Sequence, residues 1–457
     1  MFESVNPYTG ELLGSEPALT DRQLSKRLVL AQSSYLGFWK LLPIEDRVRR
    51  VSRMADSLLA NREDLARELT LEMGKPISQA RAEIDKCAWL CRHAASVAAE
   101  QLAPRTVHDE NLRASVNHRP LGGLLGIMPW NFPYWQSLRF AIPAMLAGNV
   151  VLVKPAPNVT RSAMRLSRLL EEAIGEPGVF QTLLIDHSQI ESVIAHPFIA
   201  GVSLTGSERA GSAVAALAGK HLKKCLLELG GSDAFIVFED ADLEEATQAA
   251  LTSRMGNNGQ TCIAAKRLIV QQSVLSRFTD AFLSAVSSLQ CEDPLSDHAR
   301  LSCLARPDLS DTLTRQVSAT LALGARPLLS GGLMSGSETR FMPWVLTDIP
   351  PASPAATEEL FGPVASIFAV PDAEAAITLA NATRFGLGTS IWTSDLDRAV
   401  TIASQIEAGT IAINQMVASD PRLPFGGVKH SGFGRELGPE GFLEFSNIQS
   451  ITLPSPT

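Results

Sequence analysis

The sequence predicts an α/β protein: two sheets wound with helices, plus a small β-arm. Three observations carry that expectation. Short apolar runs alternate with amphipathic helical stretches over 124–237, a second alternation runs over 267–414, and two distant segments, 103–120 and 442–453, fit neither series. Strand–helix alternation implies parallel sheets, because a parallel pair needs a crossover and a helix supplies it.

The first hundred residues read as helical. Apolar residues recur at helical spacing over 20–41, 43–60, 61–73 and 77–102, with Pro and Gly between them, and these helices are expected to cover something else in the fold. Strands follow at 124–128, 150–153, 182–185, 201–204, 224–229 and 235–237, with helices at 134–147, 160–174, 189–195 and 208–218 between them. The second series places strands near 268–270, 364–369, 389–393 and 410–413. In the outlying segments, Ser115-Val116-Asn117-His118 alternates in polarity, so 103–120 and 442–453 could pair as an arm. A surface hairpin and a frayed end are the alternative.

Composition narrows the function classes. The chain has 457 residues, 45% hydrophobic and 19% charged, with a formal net charge of -8. That length fits two or three domains, and the acidic balance gives no electrostatic footprint for nucleic acid or an anionic membrane. The N-terminus lacks the basic region and apolar run of a signal peptide, and no apolar stretch is long enough to span a bilayer, so a cytoplasmic protein is expected. The six cysteines show no Cys-x-x-Cys and no His-rich spacing, so no metal site is expected. Cys87 and Cys91 lie one helical turn apart and read as helix packing.

One cysteine stands out. Met255-Gly256-Asn257-Asn258-Gly259-Gln260-Thr261-Cys262-Ile263-Ala264 is polar and glycine-punctuated, and follows a helix expected over 242–255. A core-filling cysteine is normally flanked by apolar residues; Cys262 instead reads as an exposed nucleophile. Three further places suggest a nucleotide site. Thr205-Gly206-Ser207 follows a strand, where Gly206 lets the backbone turn and Ser207 with the next amides can face a phosphate, although ordinary strand-to-helix turns look alike. Lys154 closes the run Val151-Leu152-Val153, at the strand edge where open α/β sheets bind ligands. Glu358-Glu359 opens a later strand and suits ribose hydroxyls, or is a solvated acidic loop.

Together these residues resemble a family. Pro129-Trp130-Asn131-Phe132-Pro133, Lys154-Pro155-Ala156, Thr205-Gly206-Ser207, Glu228-Leu229-Gly230-Gly231, Gly259-Gln260-Thr261-Cys262, Glu359-Leu360-Phe361-Gly362-Pro363 and Pro424-Phe425-Gly426-Gly427-Val428-Lys429 are similar, in order, to motifs of the NAD(P)-dependent aldehyde dehydrogenases. The resemblance covers essentially the whole chain. Two departures lie outside the chemistry: Leu204 where an aromatic is common, and Ala234 where proline is usual.

The resemblance implies a Rossmann-type NAD(P)-binding domain over 1–102 and 121–232, a catalytic domain over 233–436, and an oligomerisation arm over 103–120 and 437–457. It also implies that Cys262 attacks the aldehyde carbon, that Asn131 with the Cys262 N–H forms the oxyanion hole, and that Glu228 activates water against the thioester. Glu228 closes the apolar run Cys225-Leu226-Leu227, so its pKa is expected to be raised. Asn131 as a turn residue and Glu228 paired with Lys223 or Lys224 are the structural alternatives. On the cofactor side the implied contacts are Trp130, Lys154, Pro157, Gly206, Ser207, Glu359 and Phe361. Pro157 and Asn158 bring neither an acidic group nor a hydroxyl to a 2′-phosphate, and Arg161 is the nearest spare cation, so either NAD or NADP is expected, with NAD slightly favoured.

For the substrate, a helix over 134–147 puts Trp135 and Arg139 on one face near Asn131, with Tyr134 beside them. Arg139 suits a carboxylate, and Ser419 in the loop 414–424 is a second donor. This resembles the succinate-semialdehyde dehydrogenase branch; an interdomain ion pair for Arg139 and a turn cap for Ser419 are the alternatives. Glutarate semialdehyde and neutral aldehydes are the other substrates to weigh, a CoA-acylating dehydrogenase and a thiol hydrolase are rival enzymes, and a non-catalytic scaffold is the reading from another class. In the resembling family such an arm joins subunits, so the resemblance implies a homodimer or homotetramer.

Overall fold

The computed structural model describes residues 1–109 and 112–454. Its first sheet has six strands in the order Gly432–Phe433, Lys224–Glu228, Ile199–Thr205, Gly123–Ile127, Val150–Lys154, Phe180–Thr182, all parallel except the short first one. The chain starts at Gly123–Ile127, builds outward on one side, then returns to build on the other. The order therefore reverses between Gly123–Ile127 and Ile199–Thr205, and the carboxyl ends there deliver Trp130 and Asn131 on one side, Gly206 and Ser207 on the other. A crevice at such a reversal is where open α/β sheets hold ligands.

The N-terminal helices Asp21–Gly37, Ile44–Ala60, Arg62–Met73 and Ile77–Gln101 cover this sheet and share one core with it, in which Trp39, Met54 and Leu69 join Leu125 and Val151. Helix Pro133–Leu146 lies at the centre, with every residue buried. A helix buried all round must satisfy any charge it carries internally, a condition that falls on Arg139.

The second sheet has seven strands in the order Arg326–Leu329, Trp344–Thr347, Val364–Val370, Ala265–Gln271, Asp233–Val237, Gly388–Trp392, Thr410–Ile413, parallel except for the first. Cys262 lies just before Ala265–Gln271, so this sheet presents its amino edge to the carboxyl edge of the first. The arm forms from the two distant segments: Ser446–Leu453 pairs antiparallel along Arg113–Pro120, which pairs with Arg105–His108.

Several elements differ from the sequence reading. The arm's second segment begins at Ser446, not 437, because Gly438–Glu444 is a helix packed on Pro133–Leu146, with Phe445 edge-on to Phe140 at 5.5 Å. Of the expected arm, 110–111 and 455–457 lie outside the described residues. The strand expected at 182–185 is Phe180–Thr182, paired with Val151–Val153, and the Leu183 N–H makes the last bond to that neighbour, donating to the Val153 carbonyl at 2.8 Å. The hairpin Phe2–Val5 with Leu12–Glu16 had no sequence expectation. Arg326–Leu329 was hidden by Pro327, which an edge strand tolerates. Cys87 and Cys91 are buried in Ile77–Gln101, as packing residues.

Candidate active site

The nucleophile loop is built against local preference. Helix Leu243–Met255 is capped by Asp242, which accepts from the amides of Glu244 and Glu245 at 3.0 and 3.1 Å. Beyond it, Asn257 (φ 52°), Asn258 (φ 57°) and Gly259 (φ 74°) are successively left-handed, the region Asn and Gly tolerate best. Gly259 has a second reason: a Cβ there would collide with the backbone of Gly362. The surroundings hold this path. Asn257 N–H donates to Gln79 Oε1 at 2.7 Å, Asn258 Nδ2 donates to the Cys303 carbonyl at 2.8 Å, and buried Arg254 donates to the carbonyls of Gly259 and Gly362, each at 2.6 Å. Lys266, buried beneath, donates to the carbonyls of Thr261 (2.9 Å) and Cys262 (2.6 Å) and pairs with Glu359 at 3.0 Å. Strained backbone fixed from so many directions belongs at a working site.

Asn131 meets this loop from the other sheet. Its Nδ2 donates to the Gln260 carbonyl at 3.0 Å, and its own carbonyl accepts from Asn257 Nδ2 at 2.9 Å. An amide NH2 has two donors, so one remains. The Cys262 N–H has no partner among the described residues, so the nucleophile loop and the Asn131 side chain that reaches it each keep one uncommitted donor. The turn carrying Asn131 is pinned by Glu83, whose Oε1 accepts from the amides of Tyr134 and Trp135 at 3.0 Å each, and whose Oε2 is paired with Lys75. Lys75 also sits 3.6 Å over the Phe132 ring. Both charges are buried, and leaving either alone costs about 3–5 kcal/mol.

Cys262 lies on the wall of a cavity of about 530 Å³ whose apolar lining includes Phe132, Trp135, Leu251, Met255 and Phe425. Burial pushes its thiol up to about 11, with nearby Lys266 and Arg139 pulling the other way, so at neutral pH the resting group is a protonated thiol. Glu228 is buried at the end of its strand. Burial holds its carboxyl well above the usual range; Glu436 adds to that, while Arg139 and Arg435 oppose it. Its Oε1 has no hydrogen-bond partner, and its nearest cation is Arg139 at 4.0 Å, not Lys223 or Lys224. A carboxyl with a raised pKa and one oxygen uncommitted can take a proton from water near neutrality.

Trp135, Arg139 and Ser419 line the cavity together; Tyr134 does not. Tyr134 is wholly buried in the core, because position 134 faces away from the 135/139 side of the helix, so its expected substrate contact is corrected to a packing role. Arg139 is also less free than expected. Its Nε is paired with Glu436, its guanidinium stacks 4.5 Å over Phe425, and its Nη2 is enclosed facing Glu228. The ion pair weighed as the alternative is present.

On the cofactor side, Ser207 caps helix Glu208–Lys220, accepting from the Ala210 amide at 3.3 Å, and the Gly206 N–H donates to the Glu228 carbonyl at 2.9 Å. Lys154 is buried, its Nζ 3.2 Å from the Pro155 carbonyl. Pro157 is exposed and opens a short turn. Trp130 meets Phe361 edge-on at 5.8 Å, and Glu359 accepts from the Gly231 amide at 3.2 Å. Arg161 is not spare: it pairs with Glu68 at 2.5 Å and donates to the Leu13 carbonyl. Buried polar atoms along this edge lack partners, namely Thr205 Oγ1 and both side-chain atoms of Asn158. A polar ligand lying across the carboxyl ends of the strands would satisfy them, which is the fit a nicotinamide dinucleotide requires.

Sequence reasoning missed Glu83, Lys75, Arg254, Lys266 and Lys86. Lys86 also lines the cavity, with its Nζ 2.9 Å from Ser419 Oγ and 4.2 Å over the Trp135 ring. The available signal was weak: Glu83 and Lys86, one turn apart, fall in and beside the apolar stripe of a long helix.

The Aldehyde dehydrogenase family model matches residues 1–451. The chain is 45% identical to succinate semialdehyde dehydrogenase [NAD(P)+] Sad of Escherichia coli over 98% of this chain and 97% of that one. It is 44% identical to a probable succinate-semialdehyde dehydrogenase [NADP(+)] of Synechocystis sp., over 98% of both. Among solved structures, succinic semialdehyde dehydrogenase from Streptococcus pyogenes in complex with NADP+ superposes with a TM-score of 0.97 at 35% identity, covering 100% of both chains.

Proposed function

Because the chain belongs to the aldehyde dehydrogenase family, an NAD(P)-dependent oxidoreductase fold, we propose that it oxidises succinate semialdehyde to succinate through an acyl group carried on Cys262. The observation that carries the reading is the cavity: Cys262 lies on its wall, the lining is otherwise largely apolar, and its charged members Lys86, Arg139 and Arg300 outnumber the one carboxylate, Glu83, already bound to Lys75. An aldehyde with an acid at its far end suits such a wall.

In this mechanism the Cys262 sulfur bonds to the aldehyde carbon as its proton passes to solvent water, forming a thiohemiacetal anion. The second Asn131 N–H and the Cys262 N–H receive the charge that develops on oxygen. A nicotinamide dinucleotide, when bound, would supply the hydride acceptor for oxidation of this adduct to a thioester on the Cys262 sulfur. Lys154, Pro157, Gly206, Ser207 and Glu359 would hold the dinucleotide along the sheet edge, with Trp130 and Phe361 packed at its nicotinamide end. Glu228 then takes a proton from water, whose oxygen attacks the thioester carbonyl; the C–S bond breaks to release the acid, and the proton held on Glu228 returns to the Cys262 sulfur.

The relatives are named for NADP or for either cofactor. Here Pro157 offers no hydroxyl and Arg161 is engaged, so use of both with a slight lean to NAD is the proposal. A steady-state screen of succinate semialdehyde, glutarate semialdehyde and butanal with each cofactor tests both points. The highest kcat/KM is expected for succinate semialdehyde, with NAD at least equal to NADP; a best substrate that is uncharged, or a strong NADP preference, would overturn the corresponding half.

The arm supports self-association. Ser446–Leu453 is an edge strand with Ile448, Ile451 and Leu453 exposed at 63%, 40% and 49%, the kind of strand a second copy covers. A homodimer or homotetramer is expected by analytical ultracentrifugation, and a monomer at micromolar concentration would contradict it. Among the described residues no helix is long and apolar enough to cross a membrane, and all six cysteines are free thiols, which suits the reducing cytoplasm.

A further inference from the structure

We propose that Lys266 is a positioning residue for Cys262: it holds the backbone of the nucleophile from beneath, and its positive charge steadies the sulfur when that sulfur becomes an anion. The proposal rests on Cys262 as the nucleophile and adds the group that lets a buried thiol act as one.

Lys266 and Asp233 stand on neighbouring strands at the amino edge of the second sheet, where it faces the first. Asp233 opens strand Asp233–Val237 opposite Ala265, and Lys266 is the next residue along the neighbouring strand. Lys266 is 2% exposed. An ammonium has three donors, and here they serve the carbonyls of Thr261 and Cys262 and the Glu359 carboxylate. The nucleophile loop therefore folds back over its own lysine. Two carbonyls alone could be held by a neutral amide, as Asn257 holds the Gln260 carbonyl in the same loop. A buried ammonium is costly, and it supplies what an amide lacks, a full charge. Burial is what keeps the proton on the Cys262 sulfur. Lys266 is the strongest charge opposing that effect; Arg139 from helix Pro133–Leu146 acts in the same direction, and Glu359 and Asp233 act against it.

Asp233 makes the effect depend on pH. It is 3% exposed, and neither of its carboxyl oxygens has a hydrogen-bond partner among the described residues. A Cβ on Gly231 would meet the Cys262 carbonyl at 2.8 Å and Asp233 Oδ1 at 2.9 Å, so the acid and the loop close on the same glycine. Burial lifts the Asp233 pKa to about 7; Lys266, the nearby Gly388 amide and Arg267 oppose that rise, and Glu359 adds to it. Below pH 7 Asp233 is neutral, and Glu359 alone offsets the charge of Lys266. Above pH 7 Asp233 is a second anion beside Lys266, and more of the field at Cys262 is cancelled.

Alkylation by iodoacetamide in the intact enzyme, followed on the Cys262 peptide by mass spectrometry, reads the thiolate directly. At pH 8 Lys266→Met should react about 10-fold more slowly than wild type, the lower end of what an adjacent opposite charge does to an ionisable group. Lys266→Arg keeps the charge and should stay close to wild type in this assay, whatever its larger head does to turnover. In Lys266→Met the Glu359 carboxylate keeps the Gly231 amide, and its side chain is 20% exposed, so it retains solvation. Asp233→Asn removes the opposing acid and tests the same field without touching the lysine. Its rate should match wild type at pH 6, where Asp233 is protonated, and exceed it about 3- to 10-fold at pH 8. Lys266→Met alkylated as fast as wild type, or Lys266→Arg slowed as much as Lys266→Met, overturns the assignment, because a purely structural lysine lowers turnover without moving thiol ionisation. A ratio of Asp233→Asn to wild type that is the same at pH 6 and pH 8 overturns it as well. Wild-type enzyme that still turns over with Cys262 fully alkylated overturns the nucleophile itself.

Discussion

Cys262→Ser is expected to lose aldehyde oxidation by about 10⁴-fold or more, the scale on which removal of a covalent nucleophile acts. The substitution removes one polarisable atom and keeps the shape of the side chain. The loop is held by Arg254, Lys266, Asn257 and Asn258 through contacts that do not involve the sulfur, so the fold and cofactor binding should be unchanged. Burial already makes the thiol a reluctant acid at about 11, and a serine hydroxyl in the same place is far more reluctant. Steady-state assay alongside thermal unfolding and cofactor titration separates the chemical loss from misfolding. Turnover within about tenfold of wild type would mean that the reaction does not pass through this atom.

Glu228→Gln is the second large effect. The amide keeps the size of the carboxyl but cannot take a proton, so acyl release should slow by about 10²–10⁴-fold, the usual contribution of a general base. Because the preceding step needs no water, the variant should give a stoichiometric burst of reduced cofactor followed by a slow steady state. Arg139 retains Glu436 as its partner, so the buried charge is not abandoned. In the wild-type enzyme the same group should cut off activity on the acid side at a pH well above that of an ordinary carboxylate, because burial raises its pKa and the protonated form is no base. A uniform slowing with no burst would place Glu228 before hydride transfer instead.

The sequence carried most of this where residue type and position speak together. Polar residues around Cys262, with Asn-Asn-Gly before it, announced a loop too unusual for packing, and Glu228 at the end of an apolar strand announced a desolvated acid. Alternating strands and helices yielded both sheets, whereas the pairing of the two outlying segments rested only on alternation in Ser115-Val116-Asn117-His118 and on neither segment fitting the two series. What stayed hidden depended on tertiary partners. Nothing local distinguishes Arg139 as a clamp from Arg139 as a buried partner of Glu436, because the two are 297 residues apart. Lys86 was invisible for the same reason: a lysine in a long amphipathic helix reads as solvated until Trp135 and Ser419 are seen to enclose it. Tyr134 was misplaced by one residue of helical rotation, about 100°, which separates a cavity wall from a core.

The central claim, that Cys262 carries the acyl group which Glu228 releases, is tested most directly by acid-quenching Glu228→Gln during turnover of succinate semialdehyde and mapping the product by peptide mass spectrometry. A succinyl thioester on the peptide containing Cys262, absent without cofactor, is the predicted result. An unmodified Cys262 peptide during the burst, or the adduct on another residue, would contradict the account.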